Sequence, residues 1–253
     1  MNKIILDNKE VIDIDKSINF TDKNNTYKFD ILSDTSLLIE ANDIQNKTLE
    51  FNLKDNVNLN LYIIKKGIIK DITEKYILNN SNLNINKFND TLSCNELIEI
   101  DLNKSLGNCN YNFKTISKNK EEYILNINHN SKETKANIKN NGINIEKGKL
   151  SFNISCYIKK DMIKCESSQN NRIVNLTNNK CSILPNLYID ENDVIASHSA
   201  HIGTFREEDL FYLQSRGIDI EEAKRLLIRG YLLSNIDENI SNQVNEIINK
   251  YWR

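Results

Sequence analysis

Between Phe29 and about Ile189 the chain returns again and again to short runs in which apolar and polar residues alternate: "SLLIEA", "TLEFNL", "NLNLYII", "LNIN", "LIEIDL", "YILNIN" and "NINIEKGKLSFNISCYI". Successive side chains of a strand point to opposite faces, so a period of two describes strands with one face in a core. The runs are separated by Asn, Asp, Lys and Ser rather than Gly-Pro pairs, at intervals of about ten residues, the spacing of a sandwich, a barrel or a stacked β-helix. Asn tolerates the left-handed conformation and its amides stack in hydrogen-bonded ladders, which favours the β-helix. The single proline, Pro185, falls near the end of the region and leaves the earlier strands free to form continuous ladders.

After Gly203 the period changes. "TFREEDLFYLQSRG" predicts a helix opening at Thr204, with Glu207 at capping-box spacing, and closing at Gly217. Asp219 and Glu222 repeat that spacing ahead of a second helix, whose predicted apolar face is Ile220, Ala223, Leu226, Leu227 and Tyr231. A third helix follows Asp237 as cap, with Ile240, Val244, Ile247, Ile248 and Tyr251 at helical spacing. Phe211, Tyr212 and Leu213 are consecutive, so they cannot all face one core and at least one must be exposed or meet another element. The expected organisation is a mainly β chain: a β-helix core over residues 1–190, then a strand and small helical domain over residues 191–253.

With 39% hydrophobic and 27% charged residues the 253-residue chain can bury a core. Its 33 Lys and Arg against 35 Asp and Glu leave a net charge of −2, which removes the electrostatic case for nucleic acid or an anionic membrane as partner. No apolar run approaches the roughly 18 to 20 residues that cross a bilayer. The opening "MNKIILDNKEVIDIDK" lacks a long apolar stretch and a small-residue cleavage site, so a soluble, cytoplasmic protein is expected. Five cysteines, an odd number without any CxxC, indicate neither a disulfide framework nor a zinc module and are expected as reduced thiols in or near the core. There is no GxxxxGK[ST] phosphate loop, and no Ser-His-Asp order or carboxylate pair stands out. A non-catalytic chain is expected, with any nucleotide hydrolysis supplied by a partner.

The stretch "DENDVIASHSAHIGTFREEDLFYLQSRGIDIEEAKRLLIRGYL" resembles the C-terminal signature of the SufB/SufD family, scaffold components of the SUF iron-sulfur cluster assembly machinery. The family's "DDV", "SHGAT" or "GHAAS", "VG", "LFYLxSRGI" and "EEA" elements have counterparts in order. Upstream, "QNNRIVNLTNN" is similar to "QTNRNLLLSDK", "PNLYIDENDV" to "PQLEIYADDV", and "KETKANI" to "HTKSNI". The resemblance covers Asn128 to Leu233 and implies a right-handed parallel β-helix with a small C-terminal helical domain. Asn171 or a neighbour stands where SufB-type proteins carry their sulfur-receiving cysteine, and Ser199 where they have a glutamate after the histidine, so the likeness is to the SufD type.

What the resemblance implies for sites and partners is specific. His198 matches the histidine at the interface with the SufB-like β-helix subunit, where it is implicated in cluster assembly, and imidazole is a good borderline ligand for iron. Ala196 stands where many SufD-type proteins have cysteine. Phe211, Tyr212, Arg216 and Gly217 are the candidates for docking a SufC-like ABC-type ATPase. Cys181, near Pro185, offers a thiol that could bind metal but does not align with the SufB cysteine. No stably bound cofactor is expected, only a transient iron-sulfur cluster or iron at the subunit interface. The alternatives are a self-sufficient homodimeric scaffold, in which a second copy replaces the SufB-like partner, and a β-helix carbohydrate-active enzyme.

Overall fold

The computed structural model describes residues 1–6 and 10–252. Antiparallel pairs begin the chain, β1 (Asn2–Ile5) with β2 (Glu10–Asp13), and β3 (Ile18–Lys23) with β4 (Thr26–Ile31). The other pairings among the described residues are parallel. They join β5 (Thr35–Asn42), β6 (Gln45–Leu53), β7 (Asn58–Leu78), β8 (Asn82–Leu102), β9 (Asn108–Ser117), β10 (Lys120–His129), β11 (Lys135–Asn144), β12 (Lys149–Ile158), β13 (Cys165–Asn175), β14 (Ser182–Ile189) and β15 (Val194–Gly203). These strands wind a β-solenoid of about six turns, the β-helix that alternation and Asn-rich corners predict. One face is built from β5, the first halves of β7 and β8, then β9, β11, β13 and β15. The second halves of β7 and β8, with β4, β6, β10, β12 and β14, form the other.

Register makes each position a column. Leu61, Ile85, Tyr111, Ile138, Gln169 and His198 are successive partners in one column that faces the interior. Outside, Asn84 Nδ2 donates to Asn60 Oδ1 (3.2 Å) and Asn110 Nδ2 to Asn84 Oδ1 (2.9 Å), an amide ladder of the kind Asn-rich strands allow. Bonded ladder residues lie 24 positions apart for Asn58 and Asn82, 26 for Asn84 and Asn110, and 31 for Asn140 and Asn171. The spacing changes along the coil, falling back to 29 between Gln169 and His198, which hides the repeat from a fixed-period reading. Asn24, Asn25, Asn46 and Asn56 take positive φ near corners. At Gly67 (φ +74°) the 21-residue β7 bends from one face to the other, and an added Cβ would lie 2.2 Å from Asp43 Oδ1, which accepts the Ile68 N–H.

The interior is largely apolar, but at one level it carries a group of charges. Lys65 and Lys87 from one face meet Glu74 and Glu96 from the other, all four side chains fully buried. Lys65 Nζ lies 2.6 Å from Glu74 Oε1 and from Glu96 Oε1, and Lys87 Nζ lies 2.9 Å from Glu74 Oε1 and also contacts Glu96 Oε2. Tyr76 donates to the other Glu74 oxygen at 3.0 Å. Burial opposes the charge on Glu74, but the two ammonium groups outweigh it and hold the carboxyl below its ordinary value. Two positive and two negative charges balance, which is what offsets the several kcal/mol of desolvation per ion. A neighbouring carboxyl, Glu121, accepts only from hydroxyls: Thr91 (2.7 Å), Thr115 (2.8 Å) and Tyr123 (2.9 Å). Burial pushes it up to about 7.

The helices α1 (Glu207–Ser215), α2 (Ile220–Leu233) and α3 (Glu238–Tyr251) follow β15. A second core forms where α2 (Ile228, Leu232) and α3 (Ile240, Val244, Ile247, Ile248) join Ile64, Phe88, Ile116, Ile143 and Val174 on the outward side of the β5–β15 face. Asp219 caps α2 by accepting from the Glu221 and Glu222 N–H groups, and Asp237 caps α3 through Asn239. Lys114, buried under α2, donates to the Leu232 carbonyl at 3.0 Å and to that of Ser234, placing a cation at the helix C-terminus. Burial pulls its ammonium down to about 8.

Two helix expectations change. The first helix begins at Glu207, with Arg206 as an extended N-cap and no side-chain cap; Thr204 lies before it, its hydroxyl donating to the carbonyl of the buried Phe205 (3.2 Å). On α2, Ile220 and Leu226 are exposed and Ile228 and Leu232 are buried instead, since the stripe that meets the sheet runs through Ala223 and Ile228. The cysteines are as expected: Cys94, Cys109, Cys156 and Cys165 are buried and Cys181 half-buried, all free thiols. No helix among the described residues is long and apolar enough to cross a membrane.

Removing one member of the buried charge group leaves its partners uncompensated. Lys87→Met should therefore lower the free energy of unfolding by about 3 to 5 kcal/mol, read from the urea midpoint, while replacing all four by apolar residues of similar volume should cost less than the single change. Glu121 holds its proton more tightly folded than unfolded, so its contribution to stability is complete below about 4.5 and is lost as pH rises through about 7. Glu121→Gln should flatten that loss, which amounts to roughly 3 kcal/mol, in urea unfolding followed from pH 5 to pH 8.

Candidate functional site

The solenoid's last turn determines where the predicted residues stand. Among the described residues β15 pairs only with β13, and β14 only with β12, so each presents one edge without a strand partner there. The backbone N–H and C=O groups on those edges are a template for another strand. Pro185 lies in β14, a terminal strand, where a missing N–H is tolerated. Ile195, Leu184 and Tyr188 are exposed on the same turn.

His198 sits at the middle of β15, exposed, and continues the interior-facing column through its register partner Gln169. His201, three residues on, falls on the opposite face and is the register partner of Arg172. The Arg172 guanidinium lies over the Tyr231 ring (5.2 Å to the centroid), and Tyr231 donates to the Arg172 carbonyl at 2.8 Å, so this column ties the sheet to α2. The odd spacing thus separates the two histidines: His198 belongs to the open end, His201 to the outer surface. Cys181 immediately precedes β14, packs against the main core, and burial pushes its thiol up, which disfavours the thiolate a metal needs.

Beneath His198 the interior turns polar. Cys165, Ser167, Gln169, Asn171 and Ile173 share the buried parity of β13. Asn140 Nδ2 donates to Asn171 Oδ1 (2.7 Å), Asn171 Nδ2 to the Ser199 carbonyl (3.2 Å), and Gln169 Nε2 to the Asn186 carbonyl (3.3 Å). Sequence reading passed over Gln169; the usable signal is that "CESSQNNRI" is polar on both parities, which an ordinary core strand is not. It likewise passed over Lys65, which shares its parity with Leu59, Leu61 and Ile63. His129 is buried, its Nδ1 2.8 Å from Thr134 Oγ1, and burial pulls it down to about 4.

The other candidates form one exposed patch. Helix α1 buries none of its residues, and Phe211 and Tyr212 are 73% and 57% exposed, so both are free to meet a partner. Arg216 caps the helix with its guanidinium over the Tyr212 ring at 5.4 Å. Gly217, at φ +84°, closes the turn: its N–H donates to the Gln214 carbonyl and the Ile218 N–H to that of Leu213, a Schellman motif.

Comparison with known proteins agrees with this architecture. The family model described as SUF system FeS cluster assembly, SufBD core domain, matches residues 21–231. Relatives include the iron-sulfur cluster assembly protein SufD of Bacillus subtilis (34% identical over 119 residues, 47% of this chain and 27% of the relative) and a SufBD family protein of Mycobacterium leprae (42% over 78 residues, 30% and 20%). The SufD protein of Escherichia coli is 33% identical over 89 residues, 34% of this chain and 21% of its own length. The matches thus span about a quarter or less of these relatives. The chain belongs to the SufB/SufD family and is SufD-like.

The second core has a direct consequence for dissection. Ending the chain after Gly203 uncovers Ile64, Phe88, Ile116, Ile143 and Val174 together, so the truncated protein should aggregate or lose its cooperative unfolding transition, whereas Phe211→Ala with Tyr212→Ala should shift stability by no more than about 0.5 kcal/mol. Thermal unfolding with light scattering distinguishes the two.

Proposed function

We propose that this chain is a SufD-like, non-catalytic scaffold subunit of an iron-sulfur cluster assembly complex, pairing with a SufB-like subunit and docking an ABC-type ATPase. The observation that carries the proposal is the last turn, where the free edges of β14 and β15 frame His198 in the interior-facing column. An in-register partner strand would extend both faces and cover the exposed Ile195, Leu184 and Tyr188. His198 would then stand between two solenoids, one imidazole ligand to a nascent cluster held as cargo. No three His, Cys, Asp or Glu side chains converge among the described residues, so the proposal assigns the remaining ligands to the partner subunit. ATP-driven movement would enter through the exposed α1 patch and reach β15 through the short connection 204–206, the complex working in the cytoplasm.

The test is co-purification. Intact chain and His198→Ala should both capture the SufB-like protein and the ATPase, and Phe211→Ala with Tyr212→Ala should lose the ATPase alone. Cluster yield on the His198→Ala complex, read by visible absorption, should fall by at least the roughly tenfold that loss of an outer-shell partner costs. An intact chain that captures neither protein and elutes as a dimer contradicts the proposal and favours a homodimeric scaffold.

A further inference from the structure

The residue beneath His198 is built in an unusual way. Gln169 is 2% exposed, is the register partner of His198 on β13, and points into the interior at the open end. Its Nε2 donates across the interior to the Asn186 main-chain carbonyl on β14. A carbonyl only accepts, so that contact fixes which end of the amide carries the NH2 group. The Oε1 is left buried and without a donor. Such an orphan acceptor costs on the order of 1 to 3 kcal/mol, and the next residue in its column is an imidazole able to donate one N–H.

We infer that Gln169 is a positioning residue for His198: its Oε1 accepts an N–H from the imidazole and holds one tautomer, turning the lone pair of the other ring nitrogen toward the open end. Neutral imidazole donates from one nitrogen and accepts at the other, and histidines that bind metals usually have the non-ligating nitrogen held by an acceptor in this way. A carboxamide does this without adding a charge to the interior. Because the same amide is anchored on β14 through Asn186, both strands of the last turn set the imidazole's orientation, and a shift of one strand against the other reorients the ring. The inference rests on His198 carrying the function proposed above.

The test is the tautomer of His198 in the full-length protein, read from its two imidazole 15N shifts above the pH at which the ring is charged, and assigned against His198→Ala. The expected result is one pyrrole-like and one pyridine-like nitrogen, well separated. Gln169→Leu should draw the two shifts toward each other as the tautomers interconvert, and Gln169→Glu should restore the separation. Averaged shifts in the wild-type protein overturn the inference whatever the variants do, and so does an unchanged separation in a folded Gln169→Leu protein. Cluster yield with His198→Ala reports separately on the underlying function: a fixed tautomer with undiminished yield leaves the positioning intact and removes the assembly role.

Discussion

The in-register parallel ladder is the constraint on which the rest of the structure depends. Once successive turns pair residue for residue, every side chain is stacked on its counterpart one turn away, and each column must be chemically tolerable along its length. Apolar columns accumulate into the core, and Asn columns into amide ladders on the outside. A ladder must also stop. At the beginning it ends in the antiparallel strands β2 and β3, and at the other end it stops at β14 and β15 with unpaired edges. A parallel coil that finishes without a covering strand presents edges that another strand can extend, and that second ending is where we propose a partner binds.

The buried charge group shows how strictly the columns are used. Lys65 and Lys87 sit in adjacent columns of one face, and Glu74 and Glu96 reach them from the other, so four residues spread over two turns neutralise one another inside the coil. Such a group adds little net stability over an apolar core, but it penalises alternatives: a one-residue slip of β7 against β8 would carry each charged side chain to the wrong face. Selecting register is its physical consequence here. The second core acts at the next level, fastening α2 and α3 over the β5–β15 face while α1 stays outside it.

Much of this was readable from the residues. Alternation exposed the strands, and Asp219, Gly217 and Asp237 marked helix ends that the structure reproduces. The repeat itself was hidden because the spacing of ladder partners varies, 24 residues at Asn58–Asn82 and 31 at Asn140–Asn171, and the corner in β7 was hidden because the chain passes it without a conventional turn. Thr204 misled because the chain stays extended through Arg206 and the helix opens only at Glu207, where no side chain caps it. At the site, the motif marked His198, but the strand parity that separates it from His201, and the orphaned oxygen of Gln169 below it, exist only once β13 and β15 are paired. Charged residues at core parity, such as Lys65 and Glu96, were visible yet uninterpretable without their partners across the coil.

The most direct test of the central claim, that the open edges of the last turn are where this chain meets its partner, is amide hydrogen exchange on β14 and β15 with and without a SufB-like subunit. The account predicts that alternate amides of these strands, those directed at the free edges, exchange rapidly in the isolated chain and become protected by about tenfold or more on adding the subunit, while the outer surface of α1 is unchanged until the ATPase is present. Binding that leaves the exchange of β14 and β15 unaltered would place the interface elsewhere and contradict the account.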